Sequence, residues 1–400
     1  MRLLYVLPVS VKFTIDGAAA HVRVCKDMMK DMIRALKPRR DDRDDRRRRA
    51  RTQPMAPPSH LVVLQHGLYG GPAHLTVLAE QLREKSDDVV VHLAASNEGR
   101  TRDGIVAGGI RLSNEIQSVV AQHKGISSLS LVGNSLGGLY SRHAAALLFD
   151  ESDGTMAGLQ PRCFVTTGTP HLGVRRYLYV PVPDWAMSAG SLIAGQTADD
   201  LLLRDPAKLL LQMSRPRSAY GVALGSFARR RCYANLIGDF LVPAGTALLE
   251  TAPWGWGLND ERHARAYAAL EPDEVVFSDS GVLQRAASGV AVVREARGRP
   301  ARLPVRPRRQ SEWIDDDGLG VEAGLGPSLE EQMCAGLRVH DWSMVGVAFE
   351  GASRAWPLAH NRLAALRRDD TMRQAFGELV ERTREGEPIM RHCAEYIVQA

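Results

Sequence analysis

Cysteine is scarce in this 400-residue chain and poorly placed for cross-linking. Cys25, Cys163, Cys232, Cys334 and Cys393 are odd in number, far apart and free of any C-x-x-C. That pattern argues against a disulfide framework and fits a reducing compartment. Metal-ligand spacing is missing too: the histidines are scattered, with no H-x-x-x-H pair beside a carboxylate, so no metal or organic cofactor is expected. No apolar run reaches the roughly 18 residues that a membrane-spanning helix needs. No internal period of the kind that builds solenoids is present.

Charge is ordinary in amount, at 24% of residues, but unevenly spread. Between Lys26 and Arg51 stand 12 Lys/Arg against 6 Asp/Glu, whereas the whole chain carries only +5. The basic character therefore belongs to a tail, "KPRRDDRDDRRRRAR" in its densest part. Such a run is read as a solvated, disordered spacer, with a nuclear-localisation or anionic-surface patch as the alternative. No aromatics interleave with the arginines, so nucleic-acid binding is not expected. The opening "MRLLYVLPVSV" resembles a short signal core, but no small-residue cleavage site follows it. The expected location is cytoplasmic, with membrane or lipid-droplet association and organellar targeting through the extension as alternatives.

From residue 61 onward, short apolar runs alternate with helical periodicity. Leu61–Gln65, Val89–Leu93, Ser128–Val132, Cys163–Thr167, Cys232–Ile237 and Val345–Phe349 read as strands. Ala73 to Lys85, Gly104 to His123, Leu136 to Phe149, Leu329 to Leu337 and Asn361 to Arg368 read as helices. This alternation predicts an α/β fold: a mostly parallel sheet with helices on both faces.

One turn carries most of the chemistry. Gly133-Asn134-Ser135-Leu136-Gly137 lies between a buried strand and an Ala/Leu-rich helix. A G-x-S-x-G in that context is the nucleophile elbow of α/β-hydrolases. The turn is too tight for ordinary backbone geometry, and glycines on either side let strand and helix approach without a Cβ clash. A serine nucleophile needs a base, a carboxylate to orient it and donors for the oxyanion. In this fold the order along the chain is Ser, acid, His. Asp239 follows the Cys232–Ile237 strand, where the acid belongs, with Asp205 and Glu250 as fallbacks. Of His263, His340, His360 and His392, only His360 lies after the last strand and before a helix. His171 precedes Asp239 and breaks the order. The loop His66-Gly67-Leu68-Tyr69-Gly70-Gly71 follows the first strand and is the candidate oxyanion loop. The backbone N–H groups of Leu68 and Leu136 are its expected donors, each contributing about 2.7–4 kcal/mol to the transition state. His66 reads as structural. Tyr69, Thr169, His171 and Leu172 are expected to line the substrate pocket.

Six stretches in order, "LVVLQHGLYGG", "DGIVAGGIRLSNEI", "LVGNSLGGLYSRHA", "FVTTGTPHLGV", "YANLIGDFLVP" and "PLAHNRLAAL", resemble the serine esterases of the DUF676 family. The likeness covers roughly residues 60–250 and 335–370. It implies a lipase-like enzyme with Ser135 as nucleophile, Asp239 as acid and His360 as base. It departs from the family in Asn134, where many relatives carry His, in His74, and in the stretch 251–327.

These readings divide the chain into a basic extension (1–57), a first hydrolase part (58–250) containing a leucine-rich, lid-like segment (172–231), an irregular insertion (251–327) and a second hydrolase part (328–400). The expected activity is hydrolysis of acyl esters of lipids through an acyl-enzyme. Alternatives are an acyltransferase or amidase on the same triad, or a non-catalytic lipid-binding scaffold. Deleting residues 1–54 is expected to leave folding and turnover of soluble esters intact, as checked by circular dichroism and an ester assay. Loss of folding would place the extension in the core.

Overall fold

The computed structural model describes residues 58–175, 195–235, 239, 241–251, 327–348, 358–366 and 386–400, together with the backbone of 292–297. The basic extension, the Pro/Trp/Tyr cluster at 177–187, His263 and most of 251–327 lie outside the described residues.

Seven strands form the main sheet in the order β2-β1-β3-β6-β7-β9-β8. They are β1 (His60–Gln65), β2 (Val89–Leu93), β3 (Ser128–Asn134), β6 (Gln160–Thr167), β7 (Arg229–Asn235), β8 (Val292–Arg297) and β9 (Ser343–Ala348), while β4 (Phe149–Asp150) and β5 (Thr155–Met156) make a separate two-stranded pair. Every pairing from β2 to β9 is parallel, and β8 alone runs antiparallel, against β9. Strand β8 falls within the stretch 251–327, read as an irregular insertion. Among the described residues it pairs with β9.

The helices are α1 (Thr76–Lys85), α2 (Ile105–Gln122), α3 (Leu136–Leu148), α4 (Gln196–Leu201), α5 (Leu209–Ser214), α6 (Ala219–Ser226), α7 (Ala244–Ala247), α8 (Leu329–Leu337), α9 (Leu358–Leu363) and α10 (Glu387–Val398). The expected helix from Ala73 starts instead as a 3-10 turn, Pro72–Leu75, because Pro72 opens it. The closing helix sits earlier than expected, at Leu358–Leu363.

Alternation along the strands sorts the core into two layers. Leu61 and Val63 of β1 point to the face covered by α2 and α3, whereas Val62 and Leu64 point to the face covered by α1 and α10. Burial on both faces is why β1 reads as one continuous apolar run. The first layer ends on Trp342, fully buried, edge-on to Phe164 at 6.1 Å and to His171 at 5.4 Å.

In its described part the leucine-rich segment packs against α3. Leu203, Leu209, Leu210 and Met213 are buried in the same layer as α3. Its helix α4 also caps α2: the Asp200 carboxylate accepts the Ile105 N–H at 2.7 Å and the Thr197 hydroxyl accepts the Gly104 N–H at 3.0 Å. The described part of 172–231 is thus built into the body, because its leucines have a core surface to cover. The four cysteines among the described residues are free and buried, and no described helix is long and apolar enough to cross a membrane.

Two histidines are sealed in as neutral rings. His60 meets the Ser130 hydroxyl at 2.7 Å, and His392 lies between the Tyr233 hydroxyl and the Arg231 guanidinium at 2.9 and 3.1 Å. Burial first, and then the nearby positive charges of Arg162 and Arg231, lower them from 6.5 to about 4 and about 3. Between those values and 6.5 the unfolded chain binds more protons than the folded one. Their contribution is therefore intact above pH 6.5 and is lost as pH falls through that window. Urea midpoints are expected to fall steadily from pH 6.5 to 4, and His392→Gln to flatten that slope. An unchanged slope would show that His392 is not held neutral.

Candidate active site

The elbow has the strain that its sequence demands. Ser135 lies between β3 and α3 with φ 54° and ψ −127°, a backbone region that non-glycine residues rarely occupy. Its flanks admit only glycine: a Cβ on Gly133 would fall 2.3 Å from the Gly138 Cα, and one on Gly137 would fall 2.3 Å from the Gln65 carbonyl oxygen. The end of β6 holds the strained residue. The Ser135 N–H donates to the Thr167 carbonyl at 2.8 Å, and the Thr169 hydroxyl donates to the Ser135 carbonyl at 2.9 Å. The Asn134 amide adds a bond to the Thr167 hydroxyl at 2.9 Å. The serine side chain stays partly exposed, at the first turn of α3.

Asp239 and His360, 121 residues apart in sequence, meet in a buried pair, with Nδ1 2.8 Å from Oδ2. A carboxylate only accepts, so the ring proton lies on Nδ1 and Nε2 carries the basic lone pair. The same carboxylate accepts the Asn235 amide at 2.9 Å and the backbone N–H groups of Leu241 and Val242 at 3.1 and 2.8 Å. These bonds compensate a charge that is 1% exposed. The imidazole packs over Gly168, where a Cβ would stand 3.0 Å from Cε1. Gly168 has φ 57° and donates to the Tyr233 carbonyl at 2.8 Å. Thr167 therefore anchors the serine, and the next residue seats the histidine.

The loop after β1 comes to the same place. A Cβ on Gly67 would lie 2.7 Å from the Ser135 Cβ. Tyr69 has φ 53°, is 61% exposed and donates its N–H to the Thr101 hydroxyl at 3.0 Å. Leu136 is the first residue of α3, so its N–H has no acceptor within the helix.

The remaining candidates are committed elsewhere. Glu250 pairs with Arg338 at 3.1 Å, and Asp205 accepts the Leu209 N–H at 2.7 Å. His340 precedes β9, at the opposite end of the sheet from the elbow, and His392 is sealed beside Tyr233. Thr169, His171 and Leu172, expected to touch substrate, are wholly buried. Thr169 braces the elbow, His171 bonds the Thr166 hydroxyl at 3.0 Å, and the Leu172 N–H bonds the Thr246 hydroxyl at 3.0 Å. The chain after β6 thus turns into the core.

Two contributors escaped the sequence reading. Asn235, within "YAN", holds the acid. Arg142, fully buried on α3, donates to the carbonyls of His171 and Met213 at 3.3 and 2.7 Å, and burial pushes it down to about 9. The motif was a visible signal for Asn235. An arginine in an Ala-rich helix gave none.

A parallel sheet, a serine on a strained strand–helix turn and a buried Asp–His pair beyond the later strands define an α/β-hydrolase. Residues 55–252 match the model of the family described as "Putative serine esterase (DUF676)". The match includes Ser135 and Asp239 and stops short of His360. The chain is 32% identical over 215 residues to "Putative lipase C4A8.10" of Schizosaccharomyces pombe, covering 49% of this chain and 27% of that protein. It is 31% identical over 201 residues to "Putative lipase ROG1" of Saccharomyces cerevisiae, covering 48% and 28%. The matched region thus spans little more than a quarter of either relative. The solved structure "Alpha/beta hydrolase domain-containing protein 10 from mouse" covers 47% of this chain and 73% of that one at 14% identity, with a TM-score of 0.31, too low to weigh in the argument.

Gly168→Ala tests the seat of the histidine. The added methyl meets the imidazole at a backbone angle that disfavours it, so a loss of about 1–3 kcal/mol in unfolding free energy is expected. The proton resonance of the His360 Nδ1–H should also move. An unchanged resonance would show that Gly168 does not seat the ring.

Proposed function

We propose that this protein is a serine hydrolase acting on acyl esters, with lipid esters as its substrate class. The buried Asp239–His360 pair, seated one residue beyond the strand end that anchors Ser135, carries the reading. The Ser135 hydroxyl attacks the ester carbonyl. His360 Nε2 takes its proton, and Asp239 holds the ring in the Nδ1–H tautomer and stabilises the imidazolium that forms. The C–O bond to the alcohol breaks as His360 returns the proton to the leaving oxygen. Water, deprotonated by the same nitrogen, then releases the acid and restores the serine. The N–H groups of Leu68 and Leu136 are the donors toward the oxyanion. The lipid class rests on the names of the fungal relatives, each much longer than the matched region. The exposed Tyr69 and Leu241, at 61% and 56%, supply apolar surface beside the oxyanion loop and the acid, respectively.

Ser135→Ala and His360→Ala are each expected to lower kcat by roughly 10⁶-fold, and Asp239→Asn by about 10⁴-fold. A short-chain ester assay measures these effects, with fluorophosphonate labelling of the same proteins. Equal labelling of wild type and Ser135→Ala would remove Ser135 from the mechanism. Near-wild-type turnover by Asp239→Asn would remove the acid.

A further inference from the structure

The carbonyl of Gly67 receives two hydrogen bonds. The Gly70 N–H donates to it at 3.0 Å, closing the turn, and His66 Nδ1 lies 3.0 Å away. A carbonyl can only accept, so Nδ1 carries the ring proton. His66 is fully buried, and its Nε2 has no partner among the described residues. Burial holds this histidine below its ordinary range, so the ring is neutral, with one proton, and that proton lies on Nδ1.

The consequence follows from peptide geometry. The Gly67 carbonyl and the Leu68 N–H belong to one planar unit, and no cis bond occurs among the described residues. In a trans peptide these two groups point in opposite directions. Two donors that fix the carbonyl on one side therefore fix the Leu68 N–H on the other. The loop is pressed against the nucleophile at Gly67, where no side chain fits beside the Ser135 Cβ. Glycine on one side of this peptide leaves its plane free to rotate unless something holds it.

We propose that His66 is a positioning residue that locks the Gly67–Leu68 peptide and thereby aims the Leu68 N–H at the oxyanion. This role rests on the serine-hydrolase reading above. His66 touches neither substrate nor the reacting atoms. It acts through one peptide plane, and the effect belongs to the transition state, where the oxygen becomes charged, more than to the bound ester.

The test compares His66→Phe, His66→Gln and His66→Asn in the full chain. Asparagine can place an amide nitrogen where Nδ1 stood, whereas glutamine carries its amide one carbon further and phenylalanine has no donor. Phe and Gln are expected to lower kcat on a short-chain ester by about 10²–10³-fold, the cost of one oxyanion donor, with KM within about twofold. Asn is expected to recover most of that loss. Thermal melts identify any variant that fails to fold, and the comparison is made among the folded ones. Wild-type kcat in folded His66→Phe or His66→Gln would overturn the proposal, as would His66→Asn being as slow as the others. Fluorophosphonate labelling of wild-type Ser135 checks the parent reading separately. If that serine is inert, the hydrolase reading fails whatever the His66 variants do.

Discussion

The C-terminal end of β6 is the constraint on which the site depends. Thr167 accepts the Ser135 N–H, Thr169 donates to the Ser135 carbonyl, and Gly168 between them provides the surface on which His360 lies. Three consecutive residues thus position two groups from distant parts of the chain. The strained serine persists because the structure around it allows no relaxation: the flanking glycines have no room for a Cβ, and both backbone groups of Ser135 are bonded. A looser β6 end would release the elbow and unseat the imidazole together.

Close to this point the buried carboxylate of Asp239 has partners on several sides. Asp239 accepts four hydrogen bonds, from His360, Asn235, Leu241 and Val242. Arg142 gives its terminal nitrogens to carbonyls of the loop after β6 and of α5. The latter links the wall behind the nucleophile to the leucine-rich segment, whose apolar side chains complete the layer over α3. A segment that reads as a cover over the active edge is, in its described part, a structural wing that also caps α2 through Asp200 and Thr197.

Much of this was legible before any coordinates. The β1, β3 and β6 runs are apolar because both faces of the sheet are covered there, whereas β2, at the edge, is half-buried. The elbow was legible because its glycines answer a steric demand that no other residue meets. Less was legible where a role depends on company. Val292–Arg297 is a strand paired with β9. Thr169, His171 and Leu172 lie on the expected loop, yet that loop folds inward, which its residue types do not announce. Asn235 could be seen as part of a motif but not as a ligand of the acid.

The sequence by itself determined the alternation of strands and helices and the strained turn at Ser135, since both follow from local sterics or periodicity, whereas the choice of Asp239 and His360 rested on their places after strands and on resemblance to a family. Tertiary structure alone decided that Asp239 meets His360, that Gly168 seats the ring, and that the Gly67 carbonyl faces two donors. The first two are contacts across more than a hundred residues, and the third is a short-range contact that needs the loop already folded. Chain spacing does not encode such distances; the closing of the sheet does.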